Sequence, residues 1–184
     1  TNFGFFFLMY SNAKIYNKNV TVLEKLNQTN NYKNKIAAFT SWDVFPYIIN
    51  DKRSGIPVNG GYMQESNVNT PVVDYINKNQ IRTPVIWENV RLDVYTHNFA
   101  LEYIKKKKPK LVYIAYGETD DFAHDGEYDF YINSLNYTDN MIAELWNYVQ
   151  SNKFYKDNTY FIITTDHGRG LMEDWSGHGT SKAS

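Results

Sequence analysis

The sequence predicts an α/β fold, in which a layered and mostly parallel β-sheet carries helices on both faces. Two continuous apolar runs, 111–116 and 160–164, have the pattern of strands that are buried on both sides, as in a parallel sheet. Between these runs, apolar residues recur at helical spacing from Tyr128 to Val149. A strand, a long helix and a second strand in this order predict a right-handed crossover unit.

The length and composition are those of one globular domain. A chain of 184 residues can bury a sizeable core but is short for two domains, so we predict a single domain over residues 1–184. Lysine and arginine number 19 against 20 acidic residues, which gives no argument for a nucleic-acid partner. The chain has no cysteine, so disulfides, thiolate ligands and a cysteine nucleophile are excluded.

No part of the sequence has the pattern of a membrane segment or a targeting signal. No apolar run approaches the length of a membrane helix, so no membrane segment is expected. The run 5–10 is apolar but short, and it lacks the basic flank of an export signal. The absence of cysteine fits cytosolic and exported proteins equally, so the compartment stays open.

The first quarter of the chain predicts a short helix, a strand and a second helix. Apolar residues within 22–26 have helical spacing, and the apolar run 35–39 predicts a strand. Residues 42–50 are interpreted as helical, although Pro46 limits where that helix can start.

The middle of the chain predicts a loop followed by two helices. Residues 53–70 are rich in Gly, Asn and Ser and form the most loop-like stretch. Residues 71–79 predict a helix with proline in its first turn, and residues 91–107 predict a stronger one. The basic run 105–108 is interpreted as the solvated end of this helix, where cations are favoured by the helix dipole.

The functional signal lies directly after the two best strands. The first strand is followed by Asp120-x-x-x-His124, and the second is followed by Asp166-His167-Gly. Ser-Gly-His178-Gly-Thr comes a few residues later. Functional groups gather at the carboxyl ends of strands in such sheets. Because carboxylate supplies oxygen and imidazole supplies nitrogen, this combination predicts a site for zinc or manganese.

Each motif also has a purely structural interpretation. One Asp-His pair after a strand is most often a turn with a helix cap, and a lone Gly-His-Gly is usually a loop. The coincidence of both pairs with strand ends favours the metal site. The fourth histidine, His97, lies in a helical stretch without an acidic partner pattern, so a structural role is expected for it.

The order Asp-x-x-x-His, Asp-His-Gly and Gly-His-Gly-Thr resembles the alkaline phosphatase superfamily, which includes nucleotide pyrophosphatase/phosphodiesterases, sulfatases and cofactor-independent phosphoglycerate mutases. The segment Ser-Trp-Asp-Val-Phe-Pro-Tyr, from Ser41 to Tyr47, is similar to one in the type I phosphodiesterase branch, including bacterial sulfatase-like proteins. The resemblance covers most of the chain and is strongest in its last third.

This resemblance implies a set of metal ligands. Asp120, His124 and His178 would bind one divalent ion, and Asp166 with His167 would bind another. The expected metal is zinc, with manganese as the alternative. Two ions are expected in a complete relative, and as few as one here. In the family, the second ion also takes an aspartate from an N-terminal strand and contacts a Thr or Ser nucleophile.

The sequence departs from the family at that nucleophile. No aspartate and no strand ending in one occurs before Thr21, and no early Ser or Thr has the surroundings of a nucleophile. The chain also stops just past His178, whereas family members continue. The N-terminal nucleophile segment and a C-terminal part are therefore expected to be missing, which would leave an incomplete alkaline-phosphatase-like core and no identified catalytic residue.

Three functions remain open. The first is a metal-dependent hydrolase core for small-molecule phosphate or sulfate esters, of phosphodiesterase, phosphatase or sulfatase type, expected to be inactive as this isolated chain. The second is a degenerate, non-catalytic binding or assembly module, in which an exposed sheet edge would favour a homo-oligomer. The third is a fragment of a phosphoglycerate or phosphopentose mutase.

Overall fold

The computed structural model describes residues 13–178. The apolar run 5–10 and the Gly179-Thr180 end of the last motif lie outside these residues. The described part contains a three-stranded parallel sheet and seven α-helices, which confirms the α/β fold. Among residues 13–178, no helix is both long enough and apolar enough to cross a membrane.

The helices and strands alternate along the chain. Their order is α1 (Val22–Asn27), β1 (Ile36–Thr40), α2 (Phe45–Ile49), α3 (Asp51–Ser54), β2 (Val58–Gly60), α4 (Pro71–Gln80), α5 (Asp93–Lys107), β3 (Leu111–Ala115), α6 (Glu118–His124) and α7 (Tyr128–Ser151). A short 3-10 helix, Met172–Asp174, follows near the end of the described chain.

Strand β1 is the centre of the sheet. The strand order is β2-β1-β3, and both pairings are parallel. Ile36 pairs with Leu111 at one end of β1, and Thr40 pairs with Ala115 at the other. All five residues of β1 are buried, as its continuous apolar run predicts. The carboxyl ends of β1 and β3 therefore meet at one edge of the sheet, directly before the residues that carry the site.

Helices cover both faces of the sheet, because successive side chains of β1 point to opposite sides. Ala37 and Phe39 pack against α4 and α5, through a cluster that includes Val73, Ile76, Phe99 and Ala100. Ile36 and Ala38 pack on the other side, with Ile49, Ile56 and Val58 and with partly buried residues of α1. This two-sided burial confirms the predicted layers.

The apolar stripe of helix α7 is buried only along its second half. Leu145 and Val149 are buried against Leu101 and Ile104 of α5, and Tyr155 closes the same cluster. Towards the start of α7, the apolar residues Tyr128, Ile132 and Leu135 are exposed. The apolar spacing thus predicted the helix itself, but only the second half of the apolar stripe lies in the core.

The predicted strand at 160–164 is wrong, and so is the crossover unit built on it. These residues form no regular secondary structure and pair with no strand of the described chain. Tyr160 is 95% and Ile162 is 90% exposed, while Phe161 turns inward against Trp146. An apolar run becomes a strand only when a neighbouring strand takes its backbone hydrogen bonds, and the run itself carries no information about that partner.

The loop predicted over 53–70 is also partly wrong, because it contains β2. This three-residue strand pairs in parallel with β1, with Ala38 opposite Val58 and Thr40 opposite Gly60. Its pairing is supplied by tertiary context, since only one of its residues is strongly apolar. The preceding helix starts at Phe45 with Pro46 in its first turn, later than the predicted start at residue 42.

Candidate metal centre

Helix α6 carries two of the predicted ligands at the end of β3. The chain leaves β3 at Ala115 and enters α6 through Gly117. A Cβ at Gly117 would lie 2.8 Å from the Val90 side chain, so the tight passage requires glycine. Asp120 and His124 lie four residues apart on one face of α6, with 3.4 Å between Asp120 Oδ1 and His124 Nε2. The sequence analysis had placed these residues after the strand without predicting a helix.

The start of α6 is held by a carboxylate from another helix. Asp93, the first residue of α5, accepts the Gly117 N–H through Oδ1 at 2.8 Å and the Glu118 N–H through Oδ2 at 3.1 Å. In return, Glu118 Oε1 accepts the Asp93 N–H at 2.6 Å. Helix starts leave N–H groups without partners, and here the two helices satisfy each other. This reciprocal cap fixes α6 against the sheet.

The cap lies in a buried polar network. The Ser41 hydroxyl donates to Asp93 Oδ1 at 2.5 Å and lies 2.8 Å from the Thr96 hydroxyl. Burial raises the pKa of Asp93 to about 7, and the neighbouring Glu118 carboxylate acts in the same direction. Asp93 is not among the predicted site residues, since nothing in the sequence but its position at a helix start singles it out.

Two further histidines converge on Asp120 from the end of the chain. The Nε2 atom of His167 lies 3.7 Å from Asp120 Oδ1, and the Nε2 atom of His178 lies 3.4 Å from the same oxygen. The His124 and His178 Nε2 atoms are 2.8 Å apart, and the His167 and His178 rings stack with centroids at 3.9 Å. Three imidazoles and one carboxylate thus meet at a single point on the surface.

The conformation of the loop between His167 and His178 brings His178 back beside Asp120. The Gly170 N–H donates to the Gly177 carbonyl at 3.0 Å, which closes the loop. A Cβ at Gly170 would lie 2.1 Å from the Asp174 carbonyl oxygen, so no side chain fits there. Trp175 packs against Tyr128 and Tyr131 at the start of α7, with ring centroids at 5.2 and 5.7 Å. These contacts hold His178 beside Asp120.

A hydrogen bond of His167 determines which of its ring nitrogens faces Asp120. Its Nδ1 lies 3.1 Å from the Gly168 carbonyl oxygen, which can only accept, so Nδ1 carries the proton. That leaves Nε2 as the ring nitrogen on the side of Asp120, 3.7 Å from its Oδ1. Metal-binding histidines are commonly fixed in this way, through a hydrogen bond of the other ring nitrogen.

Asp166 lies at the outer side of His167. Its side chain is 87% exposed, and its Oδ2 lies 3.4 Å from His167 Nε2. Its Oδ1 accepts the backbone N–H of His167 at 3.0 Å. The resemblance assigned His167 to Asp166 and separated it from Asp120, but the structure places His167 between the two carboxylates.

The spacing of the donor atoms fits a metal ion. Ligand atoms of Asp120, His167 and His178 all lie within 4.8 Å of one another. Tetrahedral zinc with bonds of about 2.0–2.1 Å separates its ligand atoms by roughly 3.3–3.4 Å. The 3.4, 3.4 and 3.7 Å from Asp120 Oδ1 to the three Nε2 atoms are close to this spacing, whereas the 2.8 Å between the His124 and His178 Nε2 atoms is shorter. One carboxylate with imidazoles is a donor set that suits zinc, and also manganese.

Two charged neighbours of Asp120 were not among the predicted site residues. The Arg169 guanidinium contacts Asp120 Oδ1 through Nη2, and its Nη1 donates to the Ser176 carbonyl at 3.4 Å. Burial raises the pKa of Asp121 to about 7, with Asp120 and Asp125 acting in the same direction and Arg169 opposing them. Arg169 directly follows the Asp-His-Gly motif, which is the one sequence signal that could have found it.

His97 lies apart from this group and is 1% exposed. Its Nδ1 is 2.9 Å from the Tyr116 hydroxyl, and its Nε2 is 3.0 Å from Glu144 Oε2. The expectation that His97 lies in a stretch without an acidic partner pattern is wrong, because Asp93 lies four residues before it and Glu144 contacts it from α7. Burial lowers the pKa of His97, while Glu144 opposes that change.

An α/β sheet with a carboxylate and three imidazoles at its carboxyl edge defines a metal-binding α/β protein. A family model described as the metalloenzyme superfamily matches residues 57–180, more than half of the chain. The chain belongs to this family, which is part of the alkaline-phosphatase-like superfamily, and the predicted resemblance is confirmed at that level. Searches of curated proteins and of solved structures give no match.

The family supplies the general chemistry of the core. It implies a divalent metal and a metal-dependent core of the hydrolase or mutase kind.

Proposed function

We propose that Asp120, His124, His167 and His178 hold a divalent metal, zinc by their donor chemistry, and that the site acts on phosphate or sulfate esters. The observation that carries this proposal is the approach of three Nε2 atoms to one oxygen, Asp120 Oδ1, within 3.7 Å. Packing of a hydrophobic core does not account for this convergence of side chains. All four side chains are partly exposed, and the three imidazoles contact one another.

Each residue has a defined part in this site. Asp120 supplies the anionic oxygen, and His124 and His178, whose Nε2 atoms lie 2.8 Å apart, supply ring nitrogens beside it. His167, which lies between Asp120 and Asp166, can serve the same ion or join Asp166 in a second one. When bound, a divalent ion supplies a Lewis acid that neutralises charge on ester oxygens.

Metal content of the purified protein tests the first half of the proposal. We expect about one zinc per chain, lost in Asp120→Ala and in the double variant His124→Ala/His178→Ala. Asp139→Ala is the matched control, because it removes an exposed carboxylate from the middle of α7. Equal zinc content in Asp120→Ala and Asp139→Ala would contradict the proposal. A second equivalent that is lost in Asp166→Ala would establish the two-ion arrangement.

Binding of inorganic phosphate or sulfate tests the second half. An oxyanion needs the metal but no nucleophile, so its binding reports on the ester site without depending on turnover. We expect phosphate to raise the melting temperature of the zinc-loaded protein and to leave that of Asp120→Ala unchanged. Zinc binding without any oxyanion effect would favour the alternative function, a non-catalytic module that keeps the metal.

The same site would also serve a mutase of the phosphoglycerate or phosphopentose type. Hydrolysis and isomerisation differ in the group that finally receives the phosphoryl group, water or a second hydroxyl of the sugar. Assays with aryl phosphate mono- and diesters, aryl sulfates and a sugar phosphate separate these outcomes. Release of free phosphate or sulfate identifies a hydrolase, and an isomerised sugar phosphate identifies a mutase.

A further inference from the structure

We propose that the Arg169 guanidinium competes with the metal ion for Asp120 Oδ1, so that its positive charge weakens metal binding. This inference rests on the proposed function, because it concerns the same oxygen. Arg169 Nη2 contacts Asp120 Oδ1, and the three histidine Nε2 atoms approach that same atom.

A guanidinium and a divalent ion compete for this oxygen. Both are cations, and at contact distance they repel each other, whereas each is attracted to the carboxylate. The Asp120 side chain is 40% and the Arg169 side chain 17% exposed, so solvent screens the pair only in part. An ion that binds Asp120 Oδ1 must therefore displace the guanidinium, or it binds more weakly because the guanidinium repels it.

The chain gives Arg169 a second contact that makes displacement feasible. Its Nη1 donates to the Ser176 carbonyl, in the loop that carries His178. A guanidinium has five N–H donors, so it can leave the carboxylate and keep a backbone acceptor. Arg169 can thereby give up its contact with Asp120 and still remain beside the loop that carries His178.

A purely structural role for Arg169 predicts the opposite change in zinc affinity when this side chain is removed. If Arg169 only orients Asp120 and the loop of His178, its removal loosens the ligands and weakens zinc binding. If Arg169 competes with the ion, its removal strengthens zinc binding. The direction of the change in zinc affinity therefore separates a competing cation from an ordinary structural contact.

The experiment is a zinc titration of the whole chain in competition with a chromophoric chelator. Arg169→Ala removes the guanidinium, and Arg169→Gln keeps hydrogen-bond donors without the charge, which guards against loss of the loop. We expect both neutral variants to bind zinc about fivefold more tightly, the factor that corresponds to a partly shielded ion pair. Arg82→Ala, which removes an exposed arginine just after the end of α4, should bind like wild type.

Zinc binding at wild-type or weaker affinity in both neutral variants would overturn this inference and leave the proposed function intact. Zinc binding by none of the proteins would overturn the proposed function and the inference together.

Discussion

Two of the Asp-x-x-x-His sequences in the chain lie on α-helices, and these two have opposite surroundings. Asp93 and His97 lie on α5 and are buried, and their polar atoms are paired with Ser41, Tyr116, Glu144 and the start of α6. Asp120 and His124 lie on α6 near the surface, where the donor atoms of His167 and His178 converge on them.

The contrast teaches that spacing alone does not define a metal site. In the α5 pair, protein groups already take the hydrogen bonds, so no donor is left to meet an ion. In the α6 pair, further donors of the same kind gather around one carboxylate oxygen, which is the arrangement an ion needs. We call the first the closed pair and the second the open pair.

The largest expected effect concerns the pH dependence of the closed pair. The folded pKa of Asp93 is raised by burial from 3.8 to about 7, so the folded protein keeps this proton after the unfolded chain has released it. The stabilising contribution is full below pH 4 and is lost as the pH rises to about 7, by up to about 4 kcal/mol.

Denaturant unfolding of wild type and Asp93→Asn at pH 4, 5.5, 7 and 8 measures this effect. The variant cannot titrate at this position, so its stability relative to wild type should improve between pH 4 and 7 and level off above. A relative stability that does not change with pH would mean that Asp93 is already ionised at pH 4.

The next effect separates the two histidines. His97→Ala leaves a cavity and an unpaired Tyr116 hydroxyl, and we expect it to lower the free energy of unfolding by about 3 kcal/mol. His124→Ala, at a surface position, should cost less than about 1 kcal/mol. Zinc affinity should fall more in His124→Ala than in His97→Ala. A zinc affinity that falls more in His97→Ala than in His124→Ala would break the distinction between the pairs.

The smallest effect concerns the loop that brings His178 to the open pair. In Gly170→Ala the new methyl group meets the Asp174 carbonyl, which pushes the loop away from Asp120. We expect zinc affinity to fall about tenfold, the factor that matches a modest overpacking cost. Gly168→Ala is the matched control, because no atom lies within 4 Å of its added carbon. Titration of both variants with zinc is the measurement, and equal affinities would show that the loop adapts.

Local signals in the sequence predicted the parts of the fold that depend on local structure. Helix α4 follows from Pro71 in its first turn, and α7 follows from its apolar spacing. Strand β1 follows from its uninterrupted apolar run. Strand β2 was missed and the strand at 160–164 was wrongly predicted, because pairing depends on a partner elsewhere in the chain.

The candidate site shows the same division. The motifs identified Asp120, His124, His167 and His178, which the structure brings together. They could not identify Asp93 or Arg169, whose roles arise from contacts across 24 and 49 residues of sequence. Nor could they show that His97 is satisfied by Glu144, which lies 47 residues away on another helix.

The most direct test of the central claim is the side-chain ¹⁵N NMR spectrum of the four histidines, recorded before and after zinc is added. Zinc binding at the open pair should move the Nε2 signals of His124, His167 and His178 and leave both ring signals of His97 in place. The claim would be contradicted if zinc moved the His97 signals together with the others, or moved none of the other three.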